Sequence, residues 1–246
     1  MSQNQLLTFS ALFFSYATFL LISYKTDPRY SLKPSRKTSF YRINGLSTLN
    51  RIIFLILLIV LSFFAGQNLL ETFGIQSSIP LQIWLPLGIL AGLLTFFLGM
   101  PINLLIQIFR ARHGLKKTRR EEEILKIMFA KPLNFNEFIF FLSATTFLNG
   151  VIEELIFRGF LLTNLNLAIP SIISILIQAF LFFIPNLYQD VYNASITFYK
   201  GLMLGTFLIL SNSIFVVIIA RLTCDAAGLF LQARSMKKIV EKKQES

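Results

Sequence analysis

The chain has 246 residues, of which 54% are hydrophobic, 14% aromatic and only 14% charged, with a formal net charge of +11. Soluble domains average about 25% charged residues, so this balance excludes an ordinary soluble enzyme and places the chain among membrane proteins. The positive excess sits between and after apolar runs, as in loops beside anionic headgroups, and no nucleic-acid-binding module is visible. The single cysteine, Cys224, supplies neither a disulfide framework nor a cysteine metal site and reads as a small core residue of a helix.

About 20 apolar residues span a bilayer, and runs of this kind recur along the chain. Residues 6–23 form the first; no small-residue cleavage site stands out, so it reads as a true span and not a removed signal. The second covers about 52–70 and the third about 79–99, with Pro101 following and 102–109 continuing past a kink. A fourth unit starts near Phe135 and extends to about Leu165, long for one straight span, with Gly150 and Gly159 as candidate bends. The fifth covers about 170–187, the sixth 198–210 and the seventh 214–231, with Ser211-Asn212-Ser213 turning the chain between the last two. The expected fold is all-α, a polytopic transmembrane helix bundle of about seven spans, with six to eight as bounds. It divides into an N-terminal membrane region (1–133), a membrane core carrying the motifs below (134–232) and a basic tail (233–246).

Charge asymmetry orients the bundle. Lys25, Arg29, Lys33, Arg36, Lys37, Arg42 and Arg51 follow the first span, against one acid, Asp27. Arg110, Arg112, Lys116, Lys117, Arg119, Arg120, Lys126 and Lys131 follow the third, and Arg234, Lys237, Lys238, Lys242 and Lys243 crowd the tail. With seven spans all three segments share one side, which the positive-inside rule makes cytoplasmic, leaving the N-terminus outside, in what is expected to be the plasma membrane. Segment 116–126 reads as a solvated loop of mixed charge, or as an amphipathic helix on anionic lipid. No internal repeat is evident, which weakens a transporter built on duplicated halves.

Glu153, Glu154 and Asp225 fall well inside predicted spans, as do Arg158 and Arg221. Each such charge costs at least about 2.5–3.5 kcal/mol on insertion scales, so the five are expected to face the bundle interior and meet one another. Glu154 and Arg158 are four residues apart and share a helix face, as do Arg221 and Asp225. Glu153 points about 100° away from Glu154 and is free to address another helix. Phe182 and Asn186 are also four apart, with Pro185 freeing a carbonyl one turn earlier. Counting from Phe135 places Glu153 towards the outer side and Asn186 near the cytoplasmic end, so a bend near Gly150, or different span ends, is needed to bring them level.

Taken together, Glu153-Glu154-x-x-x-Arg158 followed by Gly159, then Phe182-x-x-x-Asn186, then Arg221-x-x-x-Asp225 resemble the three motifs of the CAAX protease and bacteriocin-processing (CPBP, Abi-type) family of intramembrane metalloproteases. The first motif matches fully; the second and third are degenerate, with Asn186 and Arg221 where the family has histidines. The resemblance covers about 135–231 and implies a polytopic helical protein among CAAX prenyl endopeptidases and bacteriocin self-immunity proteins. It further implies that Glu153 activates water for peptide-bond hydrolysis, with Glu154 as its partner, Arg158 holding that partner, Asn186 and Arg221 in the places of the histidines that bind a metal or stabilise an oxyanion, and Asp225 in the acid place of the third motif. Membrane-associated or prenylated peptides or proteins are the implied substrates, the lipid bilayer is the expected partner, and no nucleic acid is expected.

The departures bear on chemistry. Imidazole is a good ligand for zinc-type ions; an amide is a weak one, and a guanidinium, always protonated, is none. The only histidine, His113, lies in the basic segment after the third span and reads as solvated. The expectation is therefore no metal cofactor, with the fixed cation of Arg221 standing where relatives place a divalent ion, unless the lost histidines are compensated. An arginine–carboxylate contact also weakens Glu153 as a base, so hydrolysis by the family mechanism is expected to be lost or much reduced. Asn186 and Arg221 are nevertheless donors, and donors stabilise an oxyanion. The alternatives are a non-catalytic scaffold, chaperone or immunity-type protein of the same fold, a buried ion network that only fixes packing, and, more distantly, a proton or ion relay.

Overall fold

A computed structural model describes residues 40–64, 66–75, 77, 79–113, 146–187 and 191–244, without side chains at 40–47, 185, 193 and 232–244. The expected span at 6–23, the segment 116–126 and the start of the fourth unit lie outside the described residues.

Helix α1 (Phe40–Phe64) is followed by the single turn α2 (Leu69–Thr72) and the long helix α3 (Leu81–Arg112). After residue 145 comes one continuous rod: α4 (Asn149–Glu154), a π-helical stretch (Leu155–Leu162) and α5 (Thr163–Ala168). Helix α6 (Ser171–Phe183) ends in a 3₁₀ turn (Ile184–Asn186), and α7 (Val191–Ser211) and α8 (Ile214–Gln244) complete the chain. No strand occurs among the described residues.

The second apolar run is shorter than its hydropathy suggests. Helix α1 stops at Phe64 because Gly66 takes the left-handed conformation (φ 66°), closing the helix as glycine commonly does. Asn68 then caps α2, its side chain accepting from the Leu70 amide at 3.1 Å. In α3, Pro86 and Pro101 are absorbed within one unbroken helix, so the continuation past Pro101 holds. No break in the helical backbone occurs at Gly150 or Gly159; backbone angles stay helical through Leu155 and Thr163, with the rod in π geometry from Leu155 to Leu162. The tight turn between α7 and α8 rests on Asn212 (φ 46°), a residue type that tolerates positive φ.

Packing depends on close approach. A Cβ on Gly92 would lie 2.5 Å from the Ala220 carbonyl oxygen, and one on Gly88 would lie 2.6 Å from Ile219 Cβ. Small residues one turn apart thus let α3 and α8 pack backbone to backbone, as in membrane bundles generally. Gly159 gives the π stretch the same freedom against the turn after α2, where a Cβ would meet the Phe73 carbonyl oxygen at 2.7 Å. Asn164 fastens that contact by donating to the Thr72 carbonyl at 3.1 Å.

One apolar cluster joins Phe54, Leu58, Phe73, Ile152, Ile156, Phe157, Phe160 and Phe182; the other joins α3, α7 and α8 around Ala91, Leu204, Leu208, Ile214, Val217 and Ala220. Large side chains such as Leu90, Phe97, Ile172 and Leu210 point outwards. Among the described residues, three stretches are long and apolar enough to cross a bilayer, Leu81–Arg112, Ala194–Ser211 and Ile214–Leu231, with Thr48–Phe64 and Ser171–Phe183 shorter. The protein is an all-α membrane helix bundle.

Candidate functional site

The two adjacent glutamates of α4 diverge around the helix, and their surroundings differ accordingly. Glu154 is wholly buried, and Arg158, one turn on and equally buried, donates from Nη1 to its Oε1 at 3.1 Å. The pair closes within the rod, as the spacing of four requires. The Nε and Nη2 of Arg158 have no hydrogen-bond partner, and its guanidinium lies over Phe182, with Cζ 4.4 Å from the ring centroid. A cation over an aromatic face in a desolvated site contributes on the order of 2 kcal/mol.

Glu153 turns instead to two other helices. Its Oε1 lies 2.8 Å from Nη2 of Arg51 on α1, and its Oε2 3.1 Å from Nη2 of Arg221 on α8. Arg221 extends the contact along α8, its Nε lying 2.7 Å from Asp225 Oδ2. Asp225 in turn accepts from Lys200 Nζ on α7 at 2.9 Å. Charges therefore alternate along Arg51, Glu153, Arg221, Asp225 and Lys200, tying α1, α4, α8 and α7 together through the bundle. Phe182 sits between the two sets, since Arg221 Cζ is also 5.6 Å from its ring centroid.

Five of the six candidate residues are thus gathered around one layer: Glu153, Glu154, Arg158, Arg221 and Asp225. Asn186 is turned elsewhere, its amide donating to the Phe182 carbonyl at 3.0 Å within its own helix end. The difference in level anticipated between Glu153 and Asn186 is resolved by the second motif's aromatic residue. Phe182 reaches the charges; Asn186, one turn further, secures the end of α6.

Arg51 and Lys200 were not among the expected members, and the intramembrane bases are not confined to Arg158 and Arg221. Arg51 belongs by composition to the first basic segment, but α1 begins at Phe40 and carries it into the helix. Lys200 is a lone base three residues into the sixth apolar run, an insertion cost that signals an unseen partner. His113 caps the end of α3, exposed, its ring tilted on Phe109 with centroids 4.1 Å apart.

These residues do not fit a divalent cation. Both Glu153 oxygens face guanidinium groups, Asn186 presents its amide to a backbone carbonyl, and a metal beside Arg51 and Arg221 would be repelled. No group of three His, Cys, Asp or Glu side chains suited to a metal occurs among the described residues.

Comparison with known proteins matches residues 135–227 to the family model of Rce1-like proteins, described as type II CAAX prenyl endopeptidase Rce1-like. The match takes in all three motifs. No curated protein and no solved structure matches the chain.

Proposed function

We propose that this Rce1-like membrane protein is a catalytically silent or strongly attenuated relative of the endopeptidases, using their fold as an ion-clasped membrane scaffold. The observation that carries this reading is the double engagement of Glu153, one oxygen on Arg51 and the other on Arg221. A general base must present an oxygen within about 2.6–3.2 Å of the water it deprotonates, and here a water would have to share each oxygen with a guanidinium. The two cations also balance the charge of Glu153, so the layer needs no metal for neutrality.

The decisive assay uses the full chain in lipid nanodiscs with a farnesylated peptide ending in a CAAX sequence. No cleavage beyond that of Glu153→Ala is expected. Cleavage by the natural chain that disappears in Glu153→Ala, with thermal unfolding unchanged, would overturn the proposal. Metal analysis of the same preparation should find no stoichiometric zinc; one bound ion per chain would contradict the charge substitution.

One observation favours a second reading, slow hydrolysis. Arg221 Nη1 is buried without a hydrogen-bond partner and is a spare donor for an oxyanion. On that reading Arg221→Ala removes about 10²–10³ of the rate, while the scaffold has no rate to lose. Orientation completes the proposal: the basic segments face the cytoplasm, in the plasma membrane, and the N-terminus lies outside. Membrane-impermeant labelling of a cysteine introduced at each terminus of a Cys224→Ser background would reverse this if the N-terminal label formed only after permeabilisation.

A further inference from the structure

Beside Asp225, a cavity of about 360 Å³ opens between α3, α7 and α8, with Thr146 ahead of α4 also on its wall. Its volume lies within the range of about 300–1,000 Å³ typical of small-ligand sites. It occupies the half of the bundle nearer Arg110 and Arg112, the basic end of α3. The lining is two-sided. Lys200, Asp225, Tyr199 and Asn103 give a polar part, while Phe96, Met100, Ile196 and Leu229 are apolar. Met100 is 42% exposed on the outer surface of the bundle, so the apolar wall continues towards lipid.

The polar part carries an incompletely used cation. An ammonium has three N–H donors, and Lys200 directs one to Asp225 at 2.9 Å. That carboxylate is shared, since its other oxygen faces Arg221 Nε at 2.7 Å. Asp225 therefore lies between two cations, and Lys200, at the end of the charge chain, faces the cavity with donors to spare. Tyr199 beside it is fixed by donation to the Thr95 carbonyl at 3.2 Å, which leaves its oxygen lone pairs as acceptors. A lysine inside an apolar run is costly unless something polar meets it.

We propose that this cavity binds an amphiphile with a single anionic head, a carboxylate or phosphate, placed on Lys200, its hydrocarbon chain lying along Phe96, Met100, Ile196 and Leu229 towards the lipid. Neither part suffices alone. The head completes the ammonium, and the chain covers the apolar wall. The site does not depend on whether any peptide is cut at Glu153.

Cys224, the only cysteine in the chain, lines the cavity and reports its occupancy. The test measures alkylation of Cys224 by a small maleimide, on the full chain in phosphatidylcholine nanodiscs, with dodecyl phosphate, dodecanoate, dodecanol or inorganic phosphate added. Native mass spectrometry of the same samples counts bound probe. Dodecyl phosphate and dodecanoate should slow alkylation saturably, by about tenfold at ten times their Kd, and appear as one adduct per chain. Dodecanol and inorganic phosphate should do neither. Lys200→Gln should abolish both effects. Gly228→Leu should do so by filling the space, because a Cβ at Gly228 meets nothing within 4 Å. Equal protection by dodecanol, protection by inorganic phosphate alone, or undiminished binding in Lys200→Gln would overturn the proposal. So would the absence of an adduct with either anionic amphiphile.

Discussion

The seam between α3 and α8 and the charged layer around Glu153 hold the same bundle together by opposite means. The seam is made of small residues, Gly88, Gly92, Ala220 and Thr223, whose lack of bulk lets two backbones meet. The charged layer is made of long side chains that reach across gaps, with Arg51, Arg221 and Lys200 each crossing from one helix to another. A seam of that kind is sensitive to added volume and indifferent to charge. The layer depends instead on each charge keeping its partner. Lipid sharpens this contrast, because no hydrophobic force separates helix from tail and only contact and polar pairing distinguish them.

The largest expected effect breaks the sealed member of the layer. Arg158→Leu leaves the Glu154 carboxyl without its partner in a site with no solvent access, which costs about 3–5 kcal/mol. Unfolding in detergent should reveal that loss. Replacing both members, Glu154→Leu with Arg158→Met, should recover most of it or exceed the natural chain, since paired apolar substitutes for a buried ion pair are often neutral or stabilising. If the double variant is as unstable as the single one, the pair does more than balance charge.

Next comes the seam. Gly92→Leu places a side chain where Ala220 and Thr223 already stand within 2.7 Å of the first added carbon. Overpacking of this kind costs about 1–3 kcal/mol, occasionally more, and should lower the unfolding midpoint without altering any response to ionic conditions. Stability unchanged in Gly92→Leu would show that α3 and α8 can separate freely, and the contrast between seam and layer would fail.

Within the layer, a double-mutant cycle compares the two clasps on Glu153. Arg221 contacts both Glu153 and Asp225, whereas Arg51 is 26% exposed and meets Glu153 from the rim. Arg221→Ala should therefore be the more damaging of the two, with Arg51→Ala costing about 1 kcal/mol or less. The two should be non-additive, because they share one carboxylate. Strict additivity would mean that Glu153 does not join them.

What could be read from the sequence followed from local geometry. The pairs Glu154 with Arg158 and Arg221 with Asp225 are both present, because a separation of four on a helix determines neighbourhood without knowledge of the fold. The divergence of Glu153 from Glu154 was legible for the same reason; the identity of the partners that Glu153 finds was not. Arg51 lies about a hundred positions upstream, and nothing in its own segment distinguishes it from Arg42 or Lys37 as a bridge to α4. Lys200 was detectable as an expense in an apolar run, but its partner, Asp225, is set by how α7 packs on α8. The π stretch escaped for a third reason: widening a helix by about one residue per turn leaves composition and apolar pattern almost unchanged.

The smallest effect concerns the residue that the layer leaves out. Asn186 donates to the Phe182 carbonyl in the 3₁₀ turn, where a helix end would otherwise leave an acceptor unpaired. Its replacement by alanine should cost about 0.5–1.5 kcal/mol, the net value of an ordinary intramolecular hydrogen bond. It should not change the coupling between Arg51 and Arg221, because Asn186 reaches the charges only through the position of Phe182. Phe182→Leu is the informative counterpart: it removes the ring shared by two guanidiniums and should weaken Arg158 and Arg221 together. If Asn186→Ala instead disturbed the Glu153 clasp as strongly as Phe182→Leu, the amide would have to contact the acids in solution, and the second motif would be acting through its fifth position and not its first.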